Sequence, residues 1–221
     1  VSNVSHELKT PLTSIKGYVE TLLETEVDED TYDSFLEVIK DETNRLELLI
    51  DDILNLSKIE SEVNELDEKV DINKVITNLL SLLDPKAVEK DIDLELDLLD
   101  TPPLIKGEYN QLSRMMINLI DNAIKYTPQG GKVEVSTAVA EELIIRIEDD
   151  GIGIPEEDLA RIFERFYRVD KGRSRKLGGT GLGLSIVKHI VENHKGKIEV
   201  ESEEEVGTKF VIKFPYLENN S

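Results

Sequence analysis

Residues 178–194, GGTGLGLSIVKHIVENH, join a glycine-rich segment directly to a helix with apolar residues at helical spacing. Leu182, Ile186 and Ile190 recur every four residues, which predicts one buried face of a helix over 181–194. Glycines just before a helix leave free backbone N–H groups at its N-terminus, where anions bind. The junction therefore predicts a phosphate-binding loop, although glycines that only mark turns would explain this segment equally well by itself.

A second glycine segment, DDGIGIP, occupies residues 149–155. Neither segment continues into Gly-Lys-Ser/Thr, which excludes a P-loop, and both lack the third glycine of a dinucleotide-binding fingerprint. The set of a strand lysine, His-Arg-Asp and Asp-Phe-Gly that marks protein kinases is also absent from the sequence. A nucleotide site in this chain must therefore belong to a different fold.

A two-faced helix is predicted over 108–126, with side chains about 100° apart around its axis. Its polar face carries Gln111, Arg114, Asn118, Asn122 and Lys125, and its apolar face carries Leu112, Met116, Leu119 and Ala123. Two asparagine oxygens one turn apart suit a Mg²⁺ ion that keeps most of its water and phosphate ligands, and a lysine nearby suits phosphate oxygens. Most polar stripes are only solvated faces, so the residue types, rather than the stripe, indicate a metal-phosphate site.

A basic segment lies between the two glycine segments. Residues 165–176 contain six Lys or Arg against one Asp, in a chain whose formal net charge is −21. A basic loop of this kind is able to close over a triphosphate, as active-site lids do. An ordinary exposed loop would explain the polarity of the segment but not its charge.

Short alternating runs around these helices predict a sheet. The predicted strands are residues 91–98, 132–137, 142–149, 197–202 and 208–215, and two further helices are predicted over 73–84 and 156–161. Helices packed on one face of a mixed or antiparallel sheet form an α+β fold.

The first 60 residues have the pattern of two long helices. The apolar residues of the first helix are Val4, Leu8, Leu12, Ile15, Val19 and Leu22, and those of the second are Tyr32, Phe35, Ile39, Leu46, Leu49, Ile53 and Leu56. A short polar connection, ETEVDED, predicts an antiparallel hairpin. A hairpin cannot enclose stripes this wide by itself, so we expect two copies to pair into a dimeric four-helix bundle.

The charge distribution predicts two domains, at residues 1–66 and 67–221. Residues 1–66 contain 17 acidic and 5 basic residues, a balance of −12, which leaves −9 for the rest of the chain. So acidic a chain predicts no nucleic-acid partner and no contact of this fragment with an anionic membrane surface. The sequence has no cysteine, which excludes disulfides and thiolate chemistry. It has neither a starting Met nor a long apolar run, and we interpret it as part of a longer protein.

Five sequence blocks, in order, resemble those of sensor histidine kinases. VSHELKTPLTSI is similar to the family's H box, NLIDNAIKYTP to its N box, DDGIGIP to its first glycine box, IFERFYRVD to its F box and GGTGLGLSIV to its second glycine box. The blocks resemble especially the membrane-bound kinases of Gram-positive bacteria that respond to phosphate limitation or cell-wall state. The resemblance implies a dimerisation and phosphotransfer domain followed by an α/β sandwich of the Bergerat (GHKL) ATPase type.

The resemblance also implies a set of site residues, with ATP and Mg²⁺ as cofactors. Asn122 is implied as the Mg²⁺ ligand, Asp149 as the acceptor for the adenine amino group, and Arg168 as a contact to the γ-phosphate. Further nucleotide contacts are implied for Asn118, Lys125, Tyr126, Gly151, Gly153, Gly179, Thr180, Gly181, Leu182, Gly183 and Thr208.

His6 is the phosphoacceptor that the resemblance implies. It lies two positions from both Val4 and Leu8, about 200° around the helix from each, so it should face solvent. An isolated surface histidine usually has no role, but here Glu7 follows it and is able to accept or orient the imidazole proton. The resemblance further implies transfer of the phosphoryl group to an Asp of a response-regulator receiver domain, and a phosphatase role for Thr10.

Two other classes of function remain open on the residues alone. One is an ATPase of the same fold without phosphohistidine chemistry, and the other is a helical scaffold with a degenerate nucleotide domain. The helical hairpin with its H box favours the kinase. The expected location is the cytoplasmic portion of a sensor protein of the inner or plasma membrane.

Overall fold

The computed structural model describes residues 2–61, 66, 68–170 and 179–217. Two long helices, α1 (Ser2–Glu24) and α2 (Glu29–Ser61), form the predicted antiparallel hairpin, called the stem below. The rings of Tyr18 and Phe35 meet across it with centroids 4.9 Å apart. Asp28 closes the turn by accepting hydrogen bonds from the backbone N–H and the hydroxyl of Thr31, both at 2.9 Å. The first of these bonds is the main cause of a lowered Asp28 pKa.

The stem leaves large apolar side chains in contact with solvent. Leu12 is 58% exposed, Leu23 80% and Leu54 62%. A single hairpin has no second layer to cover such residues, which is the reason that the sequence pattern predicts pairing with another copy.

A mixed five-stranded sheet forms the second part of the protein, in the order β2-β4-β5-β7-β6. Its strands are β2 (Asp93–Asp97), β4 (Lys132–Val139), β5 (Leu143–Asp149), β6 (Lys197–Glu203) and β7 (Gly207–Phe214). β2 runs parallel to β4, and the other neighbouring pairs are antiparallel. The prediction of a mixed or antiparallel sheet is confirmed, and the parallel pair makes the sheet mixed.

Three helices pack against this sheet: α3 (Ile72–Glu89), α4 (Tyr109–Tyr126) and α6 (Gly183–Asn193). Alternate residues of β5 are fully buried, including Ile145 and Ile147, and Leu119 of α4 lies in the same apolar cluster. Alternation in the strands and a periodic stripe in the helices thus bury one face of each element in a shared core.

Several element bounds differ from the prediction. The helix predicted over 73–84 continues to Glu89, past Pro85, and the one predicted over 156–161 is the short α5 (Glu156–Leu159). Two short strands, β1 (Glu68–Val70) and β3 (Ile105–Gly107), pair antiparallel and were not predicted, because three residues show no periodicity. The domain boundary predicted at residue 66 borders residues 62–65 and 67, which lie outside the described part.

The C-terminal half of α2 packs against the second part of the protein. Leu49, Leu56 and Ile59 are buried in the same apolar cluster as the sheet and its helices, and α2 contacts α6. This contact positions the stem beside the site described next. Within the described ranges, no helix combines the length and apolar character needed to cross a bilayer.

Candidate functional site

A cavity of about 630 Å³ lies between α4, the start of α6 and the ends of β5 and β7. It brings together most of the residues that the sequence singled out for nucleotide binding. Those that line it are Asn118, Asn122, Lys125, Tyr126, Asp149, Gly153, Arg168, Gly179, Thr180, Gly181, Gly183 and Thr208. Gly151 and Leu182 are buried beside it. Their convergence agrees with the sequence prediction, and their roles as ligands remain predictions.

The polar face of α4 forms one wall of the cavity. Glu108 caps this helix by accepting hydrogen bonds from the N–H groups of Asn110 and Gln111, while its opposite face is buried in the core. Asn118 and Asn122 therefore project into the cavity one turn apart. The Asn118 side-chain nitrogen is buried and has no hydrogen-bond partner among the described residues. A buried N–H donor of this kind suits a phosphate oxygen.

Asp149 lies at the end of β5 and is 9% exposed. Burial raises its pKa to about 6, although the N–H groups of Gly151 and Thr208 act in the opposite direction. The Gly151 N–H donates to Oδ1 of Asp149 at 3.0 Å. A carboxylate that is held in this way, with little water around it, is a suitable acceptor for an amino group of a heterocyclic base.

The second glycine segment forms the opposite wall. Gly181 has φ of +77°, and a Cβ there would come within 2.8 Å of the Phe166 backbone, whose N–H donates to the Gly181 carbonyl at 2.8 Å. Gly183 begins α6, and a Cβ there would lie 3.1 Å from Oδ1 of Asn118. The N-cap residue of α6, Leu182, makes no side-chain cap bond, and Gly183 and Leu184 line the cavity, so the start of this helix suits an anion.

Cationic side chains lie near the C-terminal end of α4, beside the cavity. Burial lowers the pKa of Lys125. Lys86, which also lines the cavity, pairs with Asp121. Lys90 donates to the carbonyl oxygens of Ile124 and Lys125 at 2.9 and 2.7 Å and so caps the end of α4.

His6 projects from α1 into solvent, with its side chain 81% exposed, which confirms the predicted orientation. Nδ1 of His6 lies 3.9 Å from Oε1 of Glu7. Thr10 is exposed one turn later, and its hydroxyl donates to the His6 carbonyl at 3.2 Å. The three stem residues therefore share one accessible patch.

Glu7 lies between two buried arginines. Nη2 of Arg168 is 3.3 Å from Oε2 of Glu7, and Nη2 of Arg45 on α2 is 4.0 Å from the same oxygen. Arg168 also donates to the Thr180 carbonyl at 3.0 Å. The arginine predicted to contact the γ-phosphate is therefore bonded to the residue beside the predicted phosphoacceptor.

Asp52 joins the stem to the cavity, and its role, like that of Arg45, was not predicted from the sequence. Its carboxylate accepts a hydrogen bond from Nη2 of Arg114 at 2.6 Å and another from the Thr180 hydroxyl at 2.7 Å. The partners are 62 and 128 residues away along the chain. Only the spacing of Arg45 from Leu49, one helical turn, could have indicated that Arg45 faces the interior of the stem.

The predicted lid over 165–176 is described only as far as Asp170, because residues 171–178 lie outside the described part. Within that range, Arg165 pairs with Glu60 of the stem. The two described arginines of the segment, Arg165 and Arg168, both contact the stem.

The site fits a nucleoside triphosphate with a metal that takes few protein ligands. Donors from Asn118 and the start of α6 suit phosphate, and Asp149 suits the base. The described residues contain no group of three His, Cys, Asp or Glu side chains that could hold a metal. Mg²⁺ bound through Asn122 and phosphate oxygens is compatible with this arrangement.

Comparison with known proteins identifies both halves of the chain. Residues 1–62 match the His Kinase A (phospho-acceptor) domain family, and residues 107–218 match the histidine kinase-, DNA gyrase B- and HSP90-like ATPase family. Sensor histidine kinase WalK of Bacillus subtilis is 40% identical over 223 residues, which cover 99% of this chain and 36% of WalK. The chain therefore spans about a third of the length of this relative.

Solved structures extend the match to the arrangement of the two halves. The histidine kinase AdeS of Acinetobacter baumannii is 30% identical, with a TM-score of 0.72 over 97% of this chain and 98% of that chain. The histidine kinase ThkA, solved in complex with the response regulator protein TrrA, is 25% identical, with a TM-score of 0.76 over 100% of this chain and 62% of that chain. The chain belongs to the sensor histidine kinase family, with a phospho-acceptor stem followed by an ATPase-type domain.

Proposed function

We propose that this protein transfers the γ-phosphoryl group of ATP to its own His6 and then to an Asp of a response-regulator receiver domain. The main support is that an exposed imidazole with a carboxylate beside it lies on a stem that packs against a domain whose cavity is lined by the predicted nucleotide contacts. The full-length relatives and the complex of ThkA with a response regulator agree with this proposal.

Glu7 acts on the proton of the phosphoacceptor. When its carboxylate accepts the proton at Nδ1 of His6, the electron pair of Nε2 becomes the nucleophile. The Nε2–P bond forms, the bond from phosphorus to the β,γ-bridging oxygen breaks, and ADP leaves. Arg168 is bonded to Oε2 of Glu7, and Oε1, the oxygen that faces His6, lies 3.9 Å from Nδ1, so the reaction requires Glu7 and His6 to approach more closely.

The cavity residues bind and orient the nucleotide. The carboxylate of Asp149 accepts a hydrogen bond from the adenine amino group. Asn118, Lys125 and the first N–H groups of α6 contact phosphate oxygens. Bound Mg²⁺, held on the protein side by Asn122, would offset charge on the transferring phosphoryl group. The remaining predicted residues, Tyr126, Thr208 and the glycines, shape the walls and allow close backbone approach.

The assembly is proposed as a homodimer through residues 1–66, with residues 67–221 as the catalytic domain. The exposed apolar residues of the stem support pairing. We further propose that the chain is the cytoplasmic part of a membrane-anchored sensor, that its partner is a receiver domain rather than nucleic acid, and that this part does not contact the membrane. Thr10, exposed one turn after His6, is proposed to position water for dephosphorylation of that partner.

Labelling with γ-labelled ATP tests the proposal. We expect acid-labile, base-stable label on the protein that disappears in His6→Gln, because the new bond is a phosphoramidate. His189→Gln, which changes a half-buried histidine of α6, is the matched control and should keep the label. Release of free phosphate without labelled protein would instead support a GHKL-fold ATPase that lacks phosphohistidine chemistry.

A further inference from the structure

Asp52 of the stem lines the cavity where it binds Arg114, in the N-terminal half of α4. Asp149, the predicted acceptor for the base, lies near the C-terminal end of α4. The backbone N–H of Ile152, three residues after Asp149, donates to the carbonyl of Tyr126, the last residue of α4, at 3.2 Å. A nucleotide with its base at Asp149 and its phosphates on Asn122 and Asn118 would extend along α4 towards the start of that helix. Arg114, which binds Asp52, is the next residue on that face.

Arg114 is placed to bind a terminal phosphate. It lies two turns before Asn122, about 12 Å along the helix axis, and it lines the same cavity. Its Nε is buried without a hydrogen-bond partner among the described residues, so Asp52 satisfies only part of its guanidinium. A guanidinium with spare donors in a phosphate-binding cavity suits bidentate contact with phosphate oxygens.

Asp52 occupies the groups that a phosphate would use. One of its oxygens accepts from Arg114 and the other from the hydroxyl of Thr180, which belongs to the second glycine segment. Its side chain is only 14% exposed, so it is directed into the cavity rather than into solvent. A carboxylate with both oxygens engaged in this way imitates the contacts of a phosphate group.

We propose that Arg114 and Thr180 bind the terminal phosphate of ATP, and that Asp52 competes with ATP for them, so that stem docking and triphosphate binding oppose each other. This inference rests on the proposed ATP site and adds to it a binding residue and an internal competitor. A triphosphate that enters the docked protein meets a negative carboxylate at the position of its terminal group, and like charges at close range in a shielded site repel strongly.

A second contact between the stem and the ATPase-type domain also opposes triphosphate binding. Glu7 of the stem holds Arg168, the arginine predicted for the γ-phosphate, at 3.3 Å. The docked state therefore engages two arginines of the ATPase-type domain, Arg114 and Arg168, with two stem carboxylates, Asp52 and Glu7. Both arginines are thus held by the stem rather than available to a triphosphate, so ATP binding favours release of the stem.

Calorimetric titration with Mg-ATP and Mg-ADP tests the competition. Asp52→Asn is compared with Asp51→Asn, a control that removes the same charge from an exposed neighbouring position. We expect Asp52→Asn to bind Mg-ATP at least about fivefold more tightly than the control, a typical coupling between linked sites. Mg-ADP, which lacks the terminal phosphate, should change less. Arg114→Gln should weaken Mg-ATP binding and remove the effect of Asp52→Asn.

A second measurement guards against a trivial effect of the substitution on folding. In small-angle X-ray scattering the parent protein should expand when Mg-ATP is added, whereas Asp52→Asn should be expanded without nucleotide. Equal or weaker Mg-ATP binding by Asp52→Asn, or an unchanged radius in both proteins, overturns the competition, and labelling of His6 would then still support the proposed function. If the parent binds no Mg-ATP, both proposals are overturned.

Discussion

Asp149 has a pKa that two opposing effects determine. Burial disfavours its ionised form and raises the pKa to about 6, while N–H donors from Gly151 and Thr208 partly stabilise the carboxylate. Because an adenine amino group donates a hydrogen bond, it binds the ionised form. The ionisation of this single residue should therefore control the affinity for the base near neutral pH.

We predict that nucleotide affinity falls as the pH is lowered through about 6. Above that pH the Asp149 carboxylate is ionised and the affinity has its full value. Below that pH the affinity falls by up to about tenfold for each pH unit, because Asp149 becomes protonated. Calorimetry with adenosine, which has no ionising phosphate, isolates this effect. Asp149→Asn serves as the control, because it should bind weakly and without this pH dependence. An equally steep dependence in Asp149→Asn would contradict the assignment.

At the residue scale the sequence was informative wherever the type of residue and its helical position sufficed. The outward direction of His6 followed from its angle to Val4 and Leu8, and the structure confirms it. Asp52 gave no such signal, because an acidic residue on a strongly acidic helix is indistinguishable from its neighbour Asp51. Its role depends on partners more than 60 residues away.

Among the elements, the turn before α6 depends on one glycine. Gly181 has φ of +77°, and a Cβ there would lie 2.8 Å from the Phe166 backbone. Gly17, in the exposed part of α1, has nothing within 4 Å of an added Cβ. The same substitution should therefore have opposite effects at the two positions.

We predict that Gly181→Ala lowers the free energy of unfolding by at least about 1–2 kcal/mol, the cost of a left-handed conformation for an L-residue. It should also weaken Mg-ATP binding, because the glycine segment must shift. Gly17→Ala should raise the free energy of unfolding by about 0.5–1 kcal/mol, as expected in a helix interior. Urea denaturation and calorimetry measure both quantities, and equal effects at the two glycines would exclude the explanation.

His194 joins α6 to α4 through contacts that the periodicity of the two helices does not indicate. Its Nε2 accepts the N–H of Glu108 at 3.0 Å, and its Nδ1 bonds the Ile190 carbonyl at 2.8 Å, so it ties the end of α6 to the start of α4. Burial lowers its pKa, which keeps the ring neutral. This role could not be predicted from the sequence, because nothing near His194 in the chain indicates a partner 86 residues away.

For the molecule as a whole, the exposed apolar residues of the stem are the main support for the proposed dimer. Leu12 is 58% exposed on α1, in the stripe that the sequence predicted to be buried. Val206, in the turn between β6 and β7, is 60% exposed but belongs to no such stripe. Leu12 and Val206 are thus about equally exposed, but only Leu12 lies in a stripe that a second copy of the chain should cover.

We predict that Leu12→Glu dissociates the dimer at micromolar concentration, because it places a charge in an apolar bundle interface. Val206→Glu should leave the dimer intact. Sedimentation equilibrium measures both, and a monomeric parent protein or a dimeric Leu12→Glu would show that this stripe is covered in another way.

The sequence alone determined the long helices, the five strands of the main sheet and their order along the chain, because helix and strand periodicity, glycine position and residue chemistry are local properties. It also predicted the cavity set, with Asn118 and Asn122 indicated by their type and spacing on one helix face and Asp149 implied by the family resemblance. Only the tertiary structure decided that Asp52 holds Arg114 and that Glu7 holds Arg168. These pairs join the stem to the ATPase-type domain across long stretches of chain, and no local pattern specifies which charges meet when two separately folded surfaces pack together.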